Sequence, residues 1–300
     1  MTGRKLATAI VVGFALAGII MLCLFFLPPF GFLWFIYIFV VLALVELARA
    51  CRLIGIKIPQ VTIALSAAFV FCCTYFFPRH ILALSASLFA CLTLVALRGG
   101  LSEPVDSDLN RPVSRLRNSC ASLFIAIYLL LLSSFLILPL TFHPANLANS
   151  PEHGMEFMVI FLPALSDIGG LTVGATLGRH KMTPRLSPKK SYEGLAGSLF
   201  FCMVGEVIFW IILFRSTFAQ DWWKAIIVGF VGAIAGTLGD LCASVIKRDV
   251  GIKDYGNLIK GHGGVLDRTD SILLAAPCIY LLLTVSCRLK ARPAAKAPHF

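Results

Sequence analysis

Long apolar runs alternate with short polar connections from one end of the chain to the other. Windows of roughly 16 to 24 residues, enough to cross a hydrocarbon core of about 30 Å as helices, fall at Leu6 to Leu27, Phe32 to Leu47, Val61 to Phe77, Ile81 to Leu97, Cys120 to Leu140, Met155 to Gly178, Gly194 to Phe214, Ala225 to Ile246 and Ser271 to Cys287. The pattern predicts an all-α fold, a polytopic transmembrane helical bundle of about nine membrane-spanning helices. The second window fits least well, because Glu46 sits at its end and Pro28 and Pro29 crowd its start. No heptad, solenoid period or low-complexity segment accompanies the runs. The first five carry little distinctive chemistry. Residues 1–150 therefore read as scaffold and residues 151–300 as the catalytic region of one integrated membrane domain.

Composition agrees with the windows. With 58% apolar residues, 14% charged residues and a mean hydropathy of +0.88 over 300 residues, a soluble core is excluded. The net charge of +11 would suggest nucleic acid in a soluble protein, but here the bases sit in the connections between apolar runs, where topology accounts for most of them. Anionic lipid and phosphate substrates remain as partners, and nucleic acid does not. Alternate connections hold nineteen Lys and Arg against seven, which puts the N-terminus and the connections Arg179 to Glu193 and Lys247 to Asp270 on the cytoplasmic side. The C-terminal tail, with Arg288, Lys290, Arg292 and Lys296, runs against that rule if nine spans are counted. The opening MTGRK and its apolar run read as a retained first helix, since no small-residue cleavage site follows before Pro28. The ten cysteines show no C-x-x-C spacing and read as small buried residues in reducing or lipid surroundings.

Polar residues in the wrong places carry the chemistry. Ser166 and Asp167 fall near the middle of the sixth window, followed by Gly170, Gly174 and Gly178 on roughly one helix face. A small-residue stripe serves close helix packing, but an aspartate at a helix centre costs about 2.5 to 3.5 kcal/mol and needs a partner or a cavity. The eighth window repeats the device with Gly229, Gly232, Gly236 and Asp240, and the face continues through Ala243, Ser244 and Lys247. Asp240 precedes Lys247 by about 10 Å at 1.5 Å per residue, which sets it below the membrane surface. Between these windows, Arg179, Lys181, Arg185, Lys189 and Lys190 face one acid, Glu193. Pro184 and Pro188 keep the stretch from becoming a single helix, and Ser187 or Ser191 is placed to cap the next one. The stretch from Asp240 to Asp270 is densest: five acids, five bases, His262 and the run Gly261, His262, Gly263, Gly264, whose N–H groups can face an anion. An ordinary inside loop would explain charge alone; acids that begin inside the apolar segment require more.

Carboxylates set deep on a cytoplasmic face among Lys, Arg and glycine suit phosphoryl or nucleotidyl transfer with a divalent metal, because hard oxygens hold Mg²⁺ and the bases neutralise a phosphate leaving group. The membrane setting makes one substrate a lipid. The residues alone give a Mg²⁺-dependent transferase acting on a phosphorylated lipid, with donor and acceptor open.

Ser244, two apolar residues, Lys247 and Arg248, four residues, Lys253 and Asp254, then His262-Gly263-Gly264, two residues, Asp267-Arg268, Thr269 and Asp270 together resemble the signature of the phosphatidate cytidylyltransferases, or CDP-diglyceride synthases. The stretch SDIGGLTVGATLGRHKMTPRLSPKKSYEG is similar to that family's serine-aspartate helix and SPKK-type loop, so the likeness covers Ser166 to Ser271. The resemblance implies condensation of CTP with phosphatidic acid to CDP-diacylglycerol and pyrophosphate at a bilayer. It implies Asp240 and Asp267 as the catalytic metal ligands, with Mg²⁺ as cofactor. Beside them we assign Lys189, Lys190, Lys247, Arg248 and Arg268 to the phosphates. Ser187, Ser244, Lys253, Asp254, His262, Gly263, Gly264, Asp167 and Asp270 are placed around the substrates. His262 is not cast as a base, because phosphatidate brings an anionic nucleophile. Four positions depart from the family pattern: Ala243 in place of an acid, Lys260 in place of a proline, and Gly170-Leu171 in place of an alanine-tyrosine pair. The loss at position 243 removes an outer contact of the metal site.

A CTP-dependent polyprenol or phytol kinase is the nearest rival, and a transporter the rival from another class, since intramembrane acids and glycine-broken helices also mark ion pathways. No internal repeat supports a transporter, and the D-G-x-x-A-R start of the CDP-alcohol phosphotransferases is absent. The expected location is a bacterial plasma membrane with the site facing the cytoplasm; pairing into a homodimer stays open.

Overall fold

Leucine, phenylalanine and valine runs with no water to satisfy their backbone have one local solution, the helix, which bonds every interior N–H and C=O within itself. The structure, a computed structural model, describes residues 18, 22, 26–101, 112–141, 154–213, 218–256 and 263–291. In chain order the helices are α1 (Pro29–Leu53), α2 (Gln60–Phe76), α3 (His80–Leu101), α4 (Pro112–Ala126), α5 (Leu132–Ile137), α6 (Gly154–Leu177), α7 (Tyr192–Leu213), α8 (Phe218–Val250) and α9 (Leu266–Ala291). A π turn (Ile127–Leu131) joins α4 to α5, and a 3₁₀ turn (Leu138–Thr141) ends that run. Between α6 and α7 stands an antiparallel hairpin of β1 (Lys181–Thr183) and β2 (Ser187–Ser191). The fold is an all-α, polytopic transmembrane bundle.

Among the described residues seven helical stretches are long and apolar enough to cross a membrane, and α2 is a shorter apolar helix of 17 residues. Each sequence window from the second to the ninth coincides with one of these; the first, Leu6 to Leu27, lies largely outside the described residues. Observed helices outrun their windows where a polar residue ended the apolar run. The second continues through Glu46 to Leu53, and α8 extends to 33 residues, about 50 Å long and so well beyond a hydrocarbon core of about 30 Å. Large side chains such as Val61, Phe69, Phe89 and Leu97 point outward, as lipid-facing residues do.

The chain forms two units. One contains α6, the hairpin, α7, α8 as far as Leu241 and α9 from Leu274; the other contains α1 to α5, α8 from Cys242 and α9 as far as Leu273. In the first unit α6 and α7 pack backbone to backbone. A Cβ added at Gly169 would come 2.6 Å from the Gly197 carbonyl oxygen, and one at Gly197 equally close to that of Gly169. Ser198 Oγ donates to the Ser166 carbonyl across the same seam at 2.7 Å. Gly229 of α8 abuts Met203, and Gly232 abuts Leu162 and Ile279. The glycine stripes are therefore packing surfaces. Asp167, expected to be buried with the glycines, is instead exposed, while its neighbour Ser166 is buried. In the second unit Phe32, Leu33, Ile36, Val40, Leu44 and Leu47 of α1 recur at helical spacing and are buried, as are Ile63, Ala67, Val70 and Phe71 of α2. This is the core on which the end of α8 and the start of α9 are set.

Candidate active site

In the first unit the basic connection after α6 folds on itself as the hairpin. Pro184 and Pro188 deny it helical hydrogen bonds, and Glu193 closes its base by accepting the His180 backbone N–H at 3.1 Å and the His180 ring at 2.6 Å. Of the two serines placed as caps, Ser191 is the one that acts: its Oγ accepts the Gly194 N–H at 3.1 Å at the start of α7. Ser187 opens β2 and is half-buried. The hairpin presents Lys190 to α8, where its Nζ lies 2.8 Å from Asp240 Oδ2 and donates to the Thr237 carbonyl at 3.0 Å. Two of the three donors of this ammonium are thereby engaged. Lys189, one residue earlier, is exposed.

In the second unit the segment after α8 bends back onto that helix. Gly251, at φ +78, makes the turn that ends α8, a left-handed conformation natural to glycine. Tyr255 is buried; its hydroxyl donates to the Ala243 carbonyl at 3.1 Å, and its ring lies under Lys247 Nζ at 5.5 Å from the centroid. Burial, reinforced by Tyr128, Asp267 and Asp270, pushes the phenol above its ordinary range, so it remains a donor. Gly263 is also left-handed, at φ +87, and delivers the chain to the first turn of α9. There Asp267 accepts from three groups: Lys247 Nζ on Oδ1 at 2.8 Å, and the N–H groups of Tyr255 and Gly264 on Oδ2, both at 2.9 Å. The anion that the Gly264 N–H faces is thus a carboxylate of the protein.

Other residues singled out by the sequence distribute plainly. Ser244 and Asp270 are buried, the latter accepting the Ser271 N–H at 2.8 Å. Arg268 is half-buried, while Arg248, Lys253 and Asp254 are exposed. His262, together with Lys260, lies outside the described residues. Sequence reasoning missed two participants. Tyr255 carries no motif signal. Glu46 did carry one, as an acid at the end of an apolar window: it is 4% exposed and accepts the Val265 and Leu266 N–H groups, both at 2.9 Å.

A family model described as the cytidylyltransferase family matches residues 7–286. This chain belongs to that family. It is accordingly an enzyme, a nucleotidyltransferase. A phosphatidate cytidylyltransferase of Mycobacterium leprae is 33% identical over 296 residues, covering 94% of this chain and 89% of the relative. One of Mycobacterium bovis is 30% identical over 292 residues, covering 94% and 90%. One of Staphylococcus haemolyticus is 37% identical over a shorter stretch of 127 residues, covering 42% and 46%. In this cytidylyltransferase, then, the residues of the sequence signature fall on the end of α8, the start of α9 and the segment joining them.

Proposed function

We propose that this cytidylyltransferase condenses CTP with phosphatidate, giving CDP-diacylglycerol and pyrophosphate, in a bacterial plasma membrane with its active residues toward the cytoplasm. The reading is carried by the mycobacterial relatives, which bear the name phosphatidate cytidylyltransferase and align over nearly the whole chain. A phosphate oxygen of phosphatidate attacks the α-phosphorus of CTP in line. A new P–O bond forms, the bond from the α-phosphorus to the bridging oxygen breaks, and pyrophosphate leaves with the electron pair. The nucleophile is already an anion, so no side chain has to remove a proton.

Asp240 and Asp267 are proposed as the metal-holding carboxylates. Their chemistry fits Mg²⁺: both offer hard oxygens, and Asp267 is held in one orientation by two backbone N–H groups and an ammonium. Among the described residues no three His, Cys, Asp or Glu side chains gather to hold a metal. Mg²⁺ asks for no such cage, since one or two carboxylates together with substrate phosphates would suffice to hold it. Held by Asp240 and Asp267, a divalent metal would supply positive charge against the phosphates of CTP and the leaving pyrophosphate. Lys189, Lys190, Lys247, Arg248 and Arg268 are assigned to phosphate oxygens. Lys190 and Lys247 fit best, since each ammonium already stands 2.8 Å from one of the two aspartates. Ser187, Lys253 and His262 take supporting roles.

The test supplies purified protein in lipid with radiolabelled CTP and either phosphatidate or a polyprenol. Labelled CDP-diacylglycerol from the first mixture alone is the expected result. A phosphorylated prenol in the second, or substrate flux across vesicles without CTP turnover, would replace the proposal by a kinase or a transporter.

A further inference from the structure

We propose that Glu46 is a positioning residue for the reaction: from α1 it holds the first turn of α9 so that Asp267 presents its carboxylate in one place. The inference rests on Asp267 serving as proposed above. Glu46 comes from a helix that sequence reading treats as scaffold, 219 and 220 residues away from the two amides it binds. Its two oxygens are shared out one to each, Oε1 to the Val265 N–H and Oε2 to the Leu266 N–H. The preceding N–H, that of Gly264, goes to Asp267 itself. Three consecutive amides are thus fixed by two carboxylates, and the one that belongs to the site depends on the other for the course of its backbone. A helix start favours a nearby anion, and a Ser, Asp or Asn one residue before the helix would supply a cap locally. Here Val265 occupies that place and the cap comes from another helix.

Two glycines are fitted to this carboxylate. A Cβ on Gly264 would come 2.5 Å from Glu46 Oε2, and one on Gly256 would overlap Oε1 and lie 2.9 Å from Cδ. Gly256 does not have a positive φ, so room for Glu46, rather than backbone freedom, is what glycine supplies there. The end of a glutamate usually swings aside cheaply, but this one would lose two buried hydrogen bonds by moving. Two glycine positions ahead of Asp267, Gly256 and Gly264, are therefore built around Glu46. All these contacts lie within the second unit.

The experiment uses the full chain in lipid and compares Glu46→Gln, Glu46→Ala, Gly256→Ala and Glu46→Ala/Gly256→Ala with the unaltered protein. Glutamine keeps the size but turns an N–H toward one of the two amides. Glu46→Gln is expected to slow kcat by about 10- to 100-fold, the usual effect of an outer residue of a metal site, with KM for CTP within about twofold. Hydrogen exchange in peptides covering Gly263 to Arg268 should quicken. Gly256→Ala should slow kcat in the unaltered background and add little once Glu46 is alanine, because the atom it strikes is gone. A well-folded Glu46→Gln with unchanged kcat and faster exchange would make Glu46 a stabilising cap only, overturning the proposal; unchanged exchange would overturn the contact itself. If the unaltered protein makes no CDP-diacylglycerol, the functional reading fails instead, and the exchange comparison still decides whether Glu46 holds the segment. Should Glu46→Gln not fold, Gly256→Ala alone decides by the same two readouts.

Discussion

The two aspartates proposed for the metal are held by contrasting means. Asp267 sits at the start of a helix with its side chain 9% exposed, one oxygen on Lys247 and the other on two backbone N–H groups. Asp240 lies near the end of a long helix with its side chain 36% exposed, paired with a lysine that arrives on a hairpin. Backbone donors on packed elements cannot change rotamer, whereas a lysine on a connection can. The difference separates a carboxylate fixed before substrate arrives from one whose partner can exchange an aspartate for a phosphate. Lys190 and Lys247 are both expected to bind phosphate, but only Lys190 reaches its aspartate from an element that loops between helices.

The largest test of this contrast is the pair Asp240→Asn and Asp267→Asn. Both are expected to reduce CDP-diacylglycerol formation by more than ~100-fold, beyond what outer residues of a metal site cost. Their stabilities should differ. Asp267→Asn strands a buried ammonium, a loss of about 3 to 5 kcal/mol where buried pairs are broken, whereas Asp240→Asn affects a pair whose carboxylate is more exposed, with side chains 18% and 36% exposed, and should cost less. Near-normal turnover by either variant would remove it from the metal site, and equal unfolding temperatures in detergent would break the comparison. Next come the partners. Lys247→Met leaves Asp267 with its two backbone N–H donors but without its cation and should destabilise the protein more than Lys190→Met; the reverse order, in the same unfolding measurement, would make the hairpin the rigid half. The smallest effects belong to single neutral bonds. Tyr255→Phe removes the hydroxyl that donates to Ala243, a loss of about 1 kcal/mol. Ser191→Ala removes the cap of α7, again about 1 kcal/mol. Both variants should retain most of their turnover, and a large fall in kcat for Tyr255→Phe would move that residue into the chemistry.

Much of the fold was legible because membrane helices announce themselves by length and apolar content. Their ends were less so. The run at Phe32 to Leu47 breaks off where Glu46, Arg49 and Arg52 begin, yet the helix goes on to Leu53. The hairpin at Lys181 to Ser191 was visible only as a stretch that Pro184 and Pro188 keep out of helix. Pairing Thr183 with Ser187 is a contact, and composition does not encode contacts. At the site the signature picked out Asp240, Lys247, Gly264 and Asp267. It gave no indication that the glycine-run amide serves Asp267, or that Lys190 would meet Asp240. Glu46 stood out as an acid in the wrong place, and its reason lay 220 residues away.

By itself, the order of amino acids determined that this chain crosses a membrane many times as helices, and which segment holds its acids and bases. Apolar transfer and backbone satisfaction are summed over neighbouring residues, so they can be read along a line. The tertiary structure alone decided which donor each carboxylate meets. A hydrogen bond acts over about 3 Å, and only the packed chain brings α1, the end of α8 and the start of α9 within that reach.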